Sequence, residues 1–191
     1  MSEIIKPAAV LLIITLIASA LLGGVNSVTK STITENDYAA RRASMSEVLP
    51  EVVNDSFAEE CAVTDFPGVT GYSEGYGADG AVGYAISAEA QGYGGMINIM
   101  IGVNLEGKIT GVKLLSHFET PGLGANAASK DFTDLFIGTS GELKVVKAQP
   151  TGDSEIQAIT SATITTNGFK NAVNSALSFF RDRLTDGGAV N

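Results

Sequence analysis

The sequence predicts an α+β domain, an antiparallel sheet with flanking helices, preceded by one N-terminal transmembrane helix. Three observations point there. An uncharged apolar run lies between Lys6 and Lys30; strand-like segments separated by glycine turns fill 81–118; an amphipathic stretch follows at 166–184. The 191 residues carry 12 Lys plus Arg against 21 Asp plus Glu, a net charge of −9. That balance excludes a basic surface for phosphate backbones and argues against nucleic acid as a partner. An apolar content of 45% is enough for a packed core. One Cys and one His exclude an intrachain disulfide, a cysteine-held cluster and a His-rich metal site.

The apolar run reads PAAVLLIITLIASALLGGVNSVT over 7–29. Its densest part, Pro7 to Val25, reaches about 29 Å as a helix, close to one hydrocarbon core. A single central charge would cost about 3 kcal/mol there. Ala18-Ser19-Ala20 resembles a signal-peptide cleavage site, but Leu21, Leu22 and Val25 prolong the apolar run beyond it, which favours an uncleaved anchor. Lys6 on one side and Lys30, Arg41 and Arg42 on the other leave orientation open on charge alone.

Residues 30–67 are mixed and charged. Glu35 to Leu49 predicts a short helix stopped by Pro50, and the segment reads as a stalk between the anchor at 1–29 and a domain at 68–191. Gly68 to Gly95 holds nine glycines interleaved with Val, Tyr, Ile and Ala, which fits short strands and tight turns. Strands are expected at Ala81–Ala90, Met96–Asn104 and Ile109–Phe118, the last two joined through Gly107 as a hairpin. A helix is expected over Asn126–Ile137, closed by Gly138, and a strand over Leu143–Ala148. Phe169, Val173, Ala176, Leu177, Phe180 and Leu184 recur at three and four residues, so the final helix has one apolar face. Cys61 is expected to be buried as a small apolar residue.

Two stretches carry chemistry. In Ser116-His117-Phe118-Glu119-Thr120-Pro121-Gly122-Leu123-Gly124 the chain leaves a strand through a bend where Pro fixes φ and Gly admits close backbone approach. It presents Leu123 between two glycines. In Ile159-Thr160-Ser161-Ala162-Thr163-Ile164-Thr165-Thr166-Asn167-Gly168 hydroxyls crowd the start of a helix, with Thr165 or Thr166 as N-cap. Free N–H groups and the positive end of the dipole there suit an anion such as a phosphate. Each stretch alone also reads as ordinary structure: a strand-to-helix turn, and a run of capping residues.

Taken together, ETPGLG at Glu119–Gly124 and Thr160-Ser161-Ala162-Thr163 ahead of a helix resemble the FMN-binding domain of membrane redox pumps. The likeness is greatest to the G subunit of the Rnf complex, then to the C subunit of the sodium-pumping NADH:quinone reductase. The resemblance implies FMN joined by a phosphoester bond to Thr163, with Thr160, Ser161 and Ala162 completing the attachment tetrapeptide. Ser161 stands where the family has Gly. Leu123 and Gly124 are the candidates for contact with the flavin ring, Thr120 for a polar contact, and Glu119 either fixes the turn or tunes the ring. A Thr hydroxyl needs activation that no nearby residue supplies, so the resemblance implies a flavin transferase using FAD and a divalent metal. It further implies an electron-relay subunit, coupled through its complex to Na⁺ or H⁺ export. Its domain would lie on the outer face of the cell membrane, and its partners would be the other subunits. Alternatives are the equivalent subunit of the quinone reductase, a flavin-free assembly subunit, and a stand-alone extracellular flavin reductase.

Overall fold

The computed structural model describes residues 2–152 and 154–185, with side chains placed at 8, 10–22, 38–152 and 154–185. Ser2–Val48 forms one helix, α1. The chain divides into two units, Met1–Arg42 and Ala43–Asn191. In the first, the aliphatic side chains described between Val10 and Leu22 are exposed. Among the described residues no helix is long and apolar enough to cross a membrane. Within the expected anchor the side chains of 1–7, Ala9 and 23–29 lie outside the described residues.

The second unit begins well before residue 68. Met45, Val48 and Leu49 at the end of α1 are buried in a cluster with Ala85 and Met100. The stretch read as a stalk thus contributes core. The reason lies in the sheet. Five antiparallel strands run in sequence order: β1 (Cys61–Ala62), β2 (Val69–Gly77), β3 (Gly80–Gln91), β4 (Met96–Asn104) and β5 (Ile109–Ser116). Gly102 of β4 pairs with Gly111 of β5. A Cβ at either position would collide with the backbone of Val48. The two glycines leave a bare patch on which the end of α1 rests, and the Thr110 hydroxyl donates to the Val48 carbonyl at 2.6 Å.

Beyond β5 the chain makes a 3₁₀ turn at Gly124–Ala128, helix α2 (Lys130–Thr133) and a second 3₁₀ turn at Asp134–Phe136. The single helix expected over 126–137 is therefore broken. Ser129, at ψ 143°, is extended and interrupts it. β6 (Lys144–Val146) and β7 (Glu155–Gln157) form a separate parallel pair, and α3 (Thr163–Phe179) continues into a wider π turn at Phe180–Leu184.

Period-two alternation sends Ile97, Ile99, Ile101 and Val103 of β4 to the face covered by α3, where they join Phe169, Val173, Ala176 and Leu177. The side-chain amide of Asn174 fixes α3 to the second sheet. It accepts from the Leu143 N–H at 2.9 Å and donates to the Leu143 carbonyl at 3.0 Å. Cys61 is exposed rather than buried. It sits on the two-residue edge strand, which has a neighbour on one side only.

Candidate functional site

Strands β3 and β5 flank β4 and are both antiparallel to it, so their C-terminal ends emerge at the same edge of the sheet. Two loops leave there, 92–95 from β3 and 117–123 from β5, and the N-terminus of α3 arrives at the same place. A cavity of about 520 Å³ opens between them, lined by Tyr93, Glu119, Thr120, Leu123, Gly124, Ser161, Ala162, Thr163, Ile164 and Thr165. Seven of the eight residues expected at the site are in this lining; Thr160 is exposed and outside it. Ile164 and Thr165 come from the second of the two stretches, where neither carries an expected ligand contact, and Tyr93 comes from neither stretch. Tyr93 comes from a loop some twenty-five residues upstream of the bend, and only the strand order brings it in.

Glu119 holds the three segments together. It is buried, at 7% exposure. Its Oε1 accepts from the Tyr93 N–H at 2.8 Å and the Gly94 N–H at 3.0 Å. Its Oε2 accepts from the Thr165 hydroxyl at 2.6 Å. Of the two roles open to it in the sequence, the geometry displays the turn-fixing one, extended to the start of α3. His117 supports the bend from behind, its Nδ1 accepting from the Glu119 N–H at 3.1 Å. Gly124 has to be glycine: a Cβ there would run into Glu119 and, at 2.6 Å, the Thr165 hydroxyl oxygen.

The helix start differs from expectation. Thr165 and Thr166 do not cap it. Ser161 takes a left-handed conformation at φ 63°, which turns the chain so that Ala162 becomes the N-cap and Thr163 the first helical residue. Thr165 and Thr166 point inward and are fully buried. The Thr166 hydroxyl accepts from the Ile159 N–H at 3.1 Å and donates to the Ala162 carbonyl at 3.0 Å. No side chain caps α3, so its first N–H groups face the cavity end unclaimed by a cap. Glu119 is the one charged residue of the lining. An anion here would be met by N–H groups and the helix dipole, with no Lys or Arg involved.

The left-handed Ser161 gives a physical reason for a glycine at that place. An L-residue there costs roughly 1–2 kcal/mol, of which about 0.5–1 kcal/mol is offset by the lower unfolded-state entropy of a non-glycine residue. Ser161→Gly is therefore expected to stabilise the protein by about 0.5 kcal/mol. A denaturant midpoint that stays put or falls would show that the Ser side chain repays its strain.

Chemically, the cavity matches a flat ligand bearing a phosphate. It joins a glycine-flanked bend with an apolar side chain, an uncapped helix start and a row of hydroxyls. Residues 92–178 match the FMN-binding domain family, and residues 1–48 match the RnfG N-terminal region. The G subunit of the Na⁺-translocating ferredoxin:NAD⁺ oxidoreductase complex of Acetobacterium woodii is 30% identical over 94% of this chain and 92% of its own length. The G subunit of the ion-translocating oxidoreductase complex of Shewanella piezotolerans is 31% identical over 94% of this chain and 91% of its own. The C subunit of the Na⁺-translocating NADH-quinone reductase of Parabacteroides distasonis has the same kind of fold. It superposes with a TM-score of 0.51 at 25% identity, covering 59% of this chain and 62% of that one. Sequence likeness over nearly its whole length, and a site assembled from the ETPGLG bend and the TSAT helix start, place the chain in the family of Rnf-complex G subunits.

Proposed function

We infer that this chain is the electron-carrying G subunit of an ion-translocating ferredoxin:NAD⁺ oxidoreductase, and that it holds FMN covalently through a phosphoester bond to the Thr163 hydroxyl. One observation carries the reading: two motifs some forty residues apart in sequence form the walls of one cavity, with Thr163 among them. FMN supplies the redox chemistry when bound. The residues of the chain bind and orient it. Thr163 provides the oxygen for the ester. The first-turn N–H groups of α3 meet the remaining negative charge of the diester. Leu123 and Ile164 offer apolar surface to the ring, while Thr120 and Ser161 offer hydroxyls. Glu119 ties the bend, the 92–95 loop and α3 to one another around it.

Thr163 has no base of its own. The single carboxylate in the cavity already accepts from two N–H groups and the Thr165 hydroxyl. This supports modification by a separate flavin transferase, which forms the Thr163 O–P bond, breaks the pyrophosphate bond of FAD and releases AMP. When the chain is co-expressed with such an enzyme, flavin fluorescence should follow its band on a denaturing gel. Thr163→Ala should abolish it, and fluorescence retained in that variant would place the attachment elsewhere.

The similarity of residues 1–48 to the RnfG N-terminal region and the uncharged stretch at 7–29 support a membrane anchor. We place the folded domain on the outer face, among the other subunits, with Na⁺ or H⁺ as the exported ion. The lone Cys61 is exposed, so a membrane-impermeant maleimide added to intact cells, permeable only at their outer layer, should label it. Labelling only after lysis would put the domain inside.

A further inference from the structure

Resting on the reading that FMN occupies this cavity, we propose that Tyr93 is a binding residue whose phenol ring packs against the isoalloxazine. Tyr93 is the one aromatic residue in the lining. Its main chain is held by hydrogen bonds and its side chain is largely exposed. The Tyr93 N–H donates to the buried Glu119 at 2.8 Å, the next N–H, of Gly94, to the same oxygen, and the turn is closed by the Gly92 N–H to the Gly95 carbonyl at 2.8 Å. The ring itself is 70% exposed.

A large aromatic side chain on a rigid turn, at the mouth of a cavity and with little of its surface covered, is arranged to cover something else. Aromatic rings pack favourably on flat conjugated partners, beyond the gain from area alone. The backbone anchoring lowers the entropy cost of doing so. Leu123 and Ile164, at 43% and 57% exposure, supply the remaining apolar surface of the opening. Glu119 thereby acquires a second consequence: by holding the 92–95 turn it sets where the phenol stands.

The test uses the full chain, matured with its transferase and purified in detergent. Its probe is the emission of the attached FMN, read natively and again after unfolding in denaturant. A phenol beside an excited flavin donates an electron and quenches its emission; a phenyl ring of nearly the same shape does not. Native wild type should therefore emit severalfold less than the same sample unfolded. Tyr93→Phe should raise native emission severalfold with unchanged loading, and Tyr93→Trp should restore quenching. A purely structural role would not separate Phe from Tyr in this way. Equal native and unfolded emission in wild type, or Tyr93→Phe emission matching wild type, would overturn the assignment. If the unfolded wild type carries no flavin, the underlying reading fails instead, and the denaturing gel reveals that separately.

Discussion

Glu119→Ala should lower the unfolding free energy of the chain by about 3–5 kcal/mol, because it removes the charged acceptor of three donors and leaves a buried one unpaired. The Tyr93 and Gly94 N–H groups and the Thr165 hydroxyl all lose their acceptor; the Thr165 hydroxyl is buried and costs about 1–3 kcal/mol unsatisfied, while the two N–H groups, on exposed residues, give up bonds to a charged partner. Denaturant unfolding with a fixed slope checks the figure. Glu119→Gln gives the contrast. Its carbonyl oxygen can accept both N–H groups and its amide can donate to the Thr165 oxygen, so most of the stability should return. Flavin loading should follow the same order. A Glu119→Ala variant as stable as wild type would mean that the three segments are held by packing alone.

Phe169→Ala should cost a similar amount, about 3–5 kcal/mol, for a different reason: it opens a cavity in a close-packed interior. Phe169 has no exposed surface. Its ring stands edge-on to Phe132 at 5.1 Å and tilted against Phe136 at 5.1 Å. It is one helical turn beyond Thr165, on the same face of α3. The cluster therefore seats the helix whose first turn forms the site, and ties it to the segment after the Pro-Gly-Leu-Gly bend. At temperatures below its lowered midpoint the variant should still accept flavin, since no polar partner of the cavity is removed. Phe169→Leu, which refills most of the space, should recover more than half of the loss. A Phe169→Ala variant unfolding within about 1 kcal/mol of wild type, well under the usual cost of such a truncation, would show that the rings relax into the gap.

What the sequence displayed, and what it concealed, follows from the period of each signal. Met96–Asn104 is legible as a strand to its last residue because alternation is strict and glycine marks the following turn. Val69–Gly77 is a full strand, yet its glycines erase the apolar alternation and leave only the sense of short strands and turns. Cys61–Ala62 and Glu155–Gln157 are too short to carry any period. The break at Ser129 is marked only by a residue that favours helix starts, and Asn126–Ile137 reads as a single helix around it. At the site, the residues within the two motifs were legible, and the third wall was not. Tyr93 is placed by strand order, and Thr165 is drawn inward by a carboxylate 46 positions away. Both depend on tertiary structure that no window of sequence contains. The same holds for Ser161, whose positive φ favours glycine and is set by the turn into α3, which no motif spacing displays.

The Glu119 clamp also fixes an order of events in biogenesis. Its bonds close loops of 26 and 46 residues, and neither exists in a chain still emerging from the ribosome or still unfolded. The surroundings of Thr163 are therefore a product of completed folding. On the proposed attachment at Thr163, a transferase that reads those surroundings would have to wait for the domain to finish and one that reads only the bare tetrapeptide would not, so the timing of flavin acquisition would report which of the two it recognises.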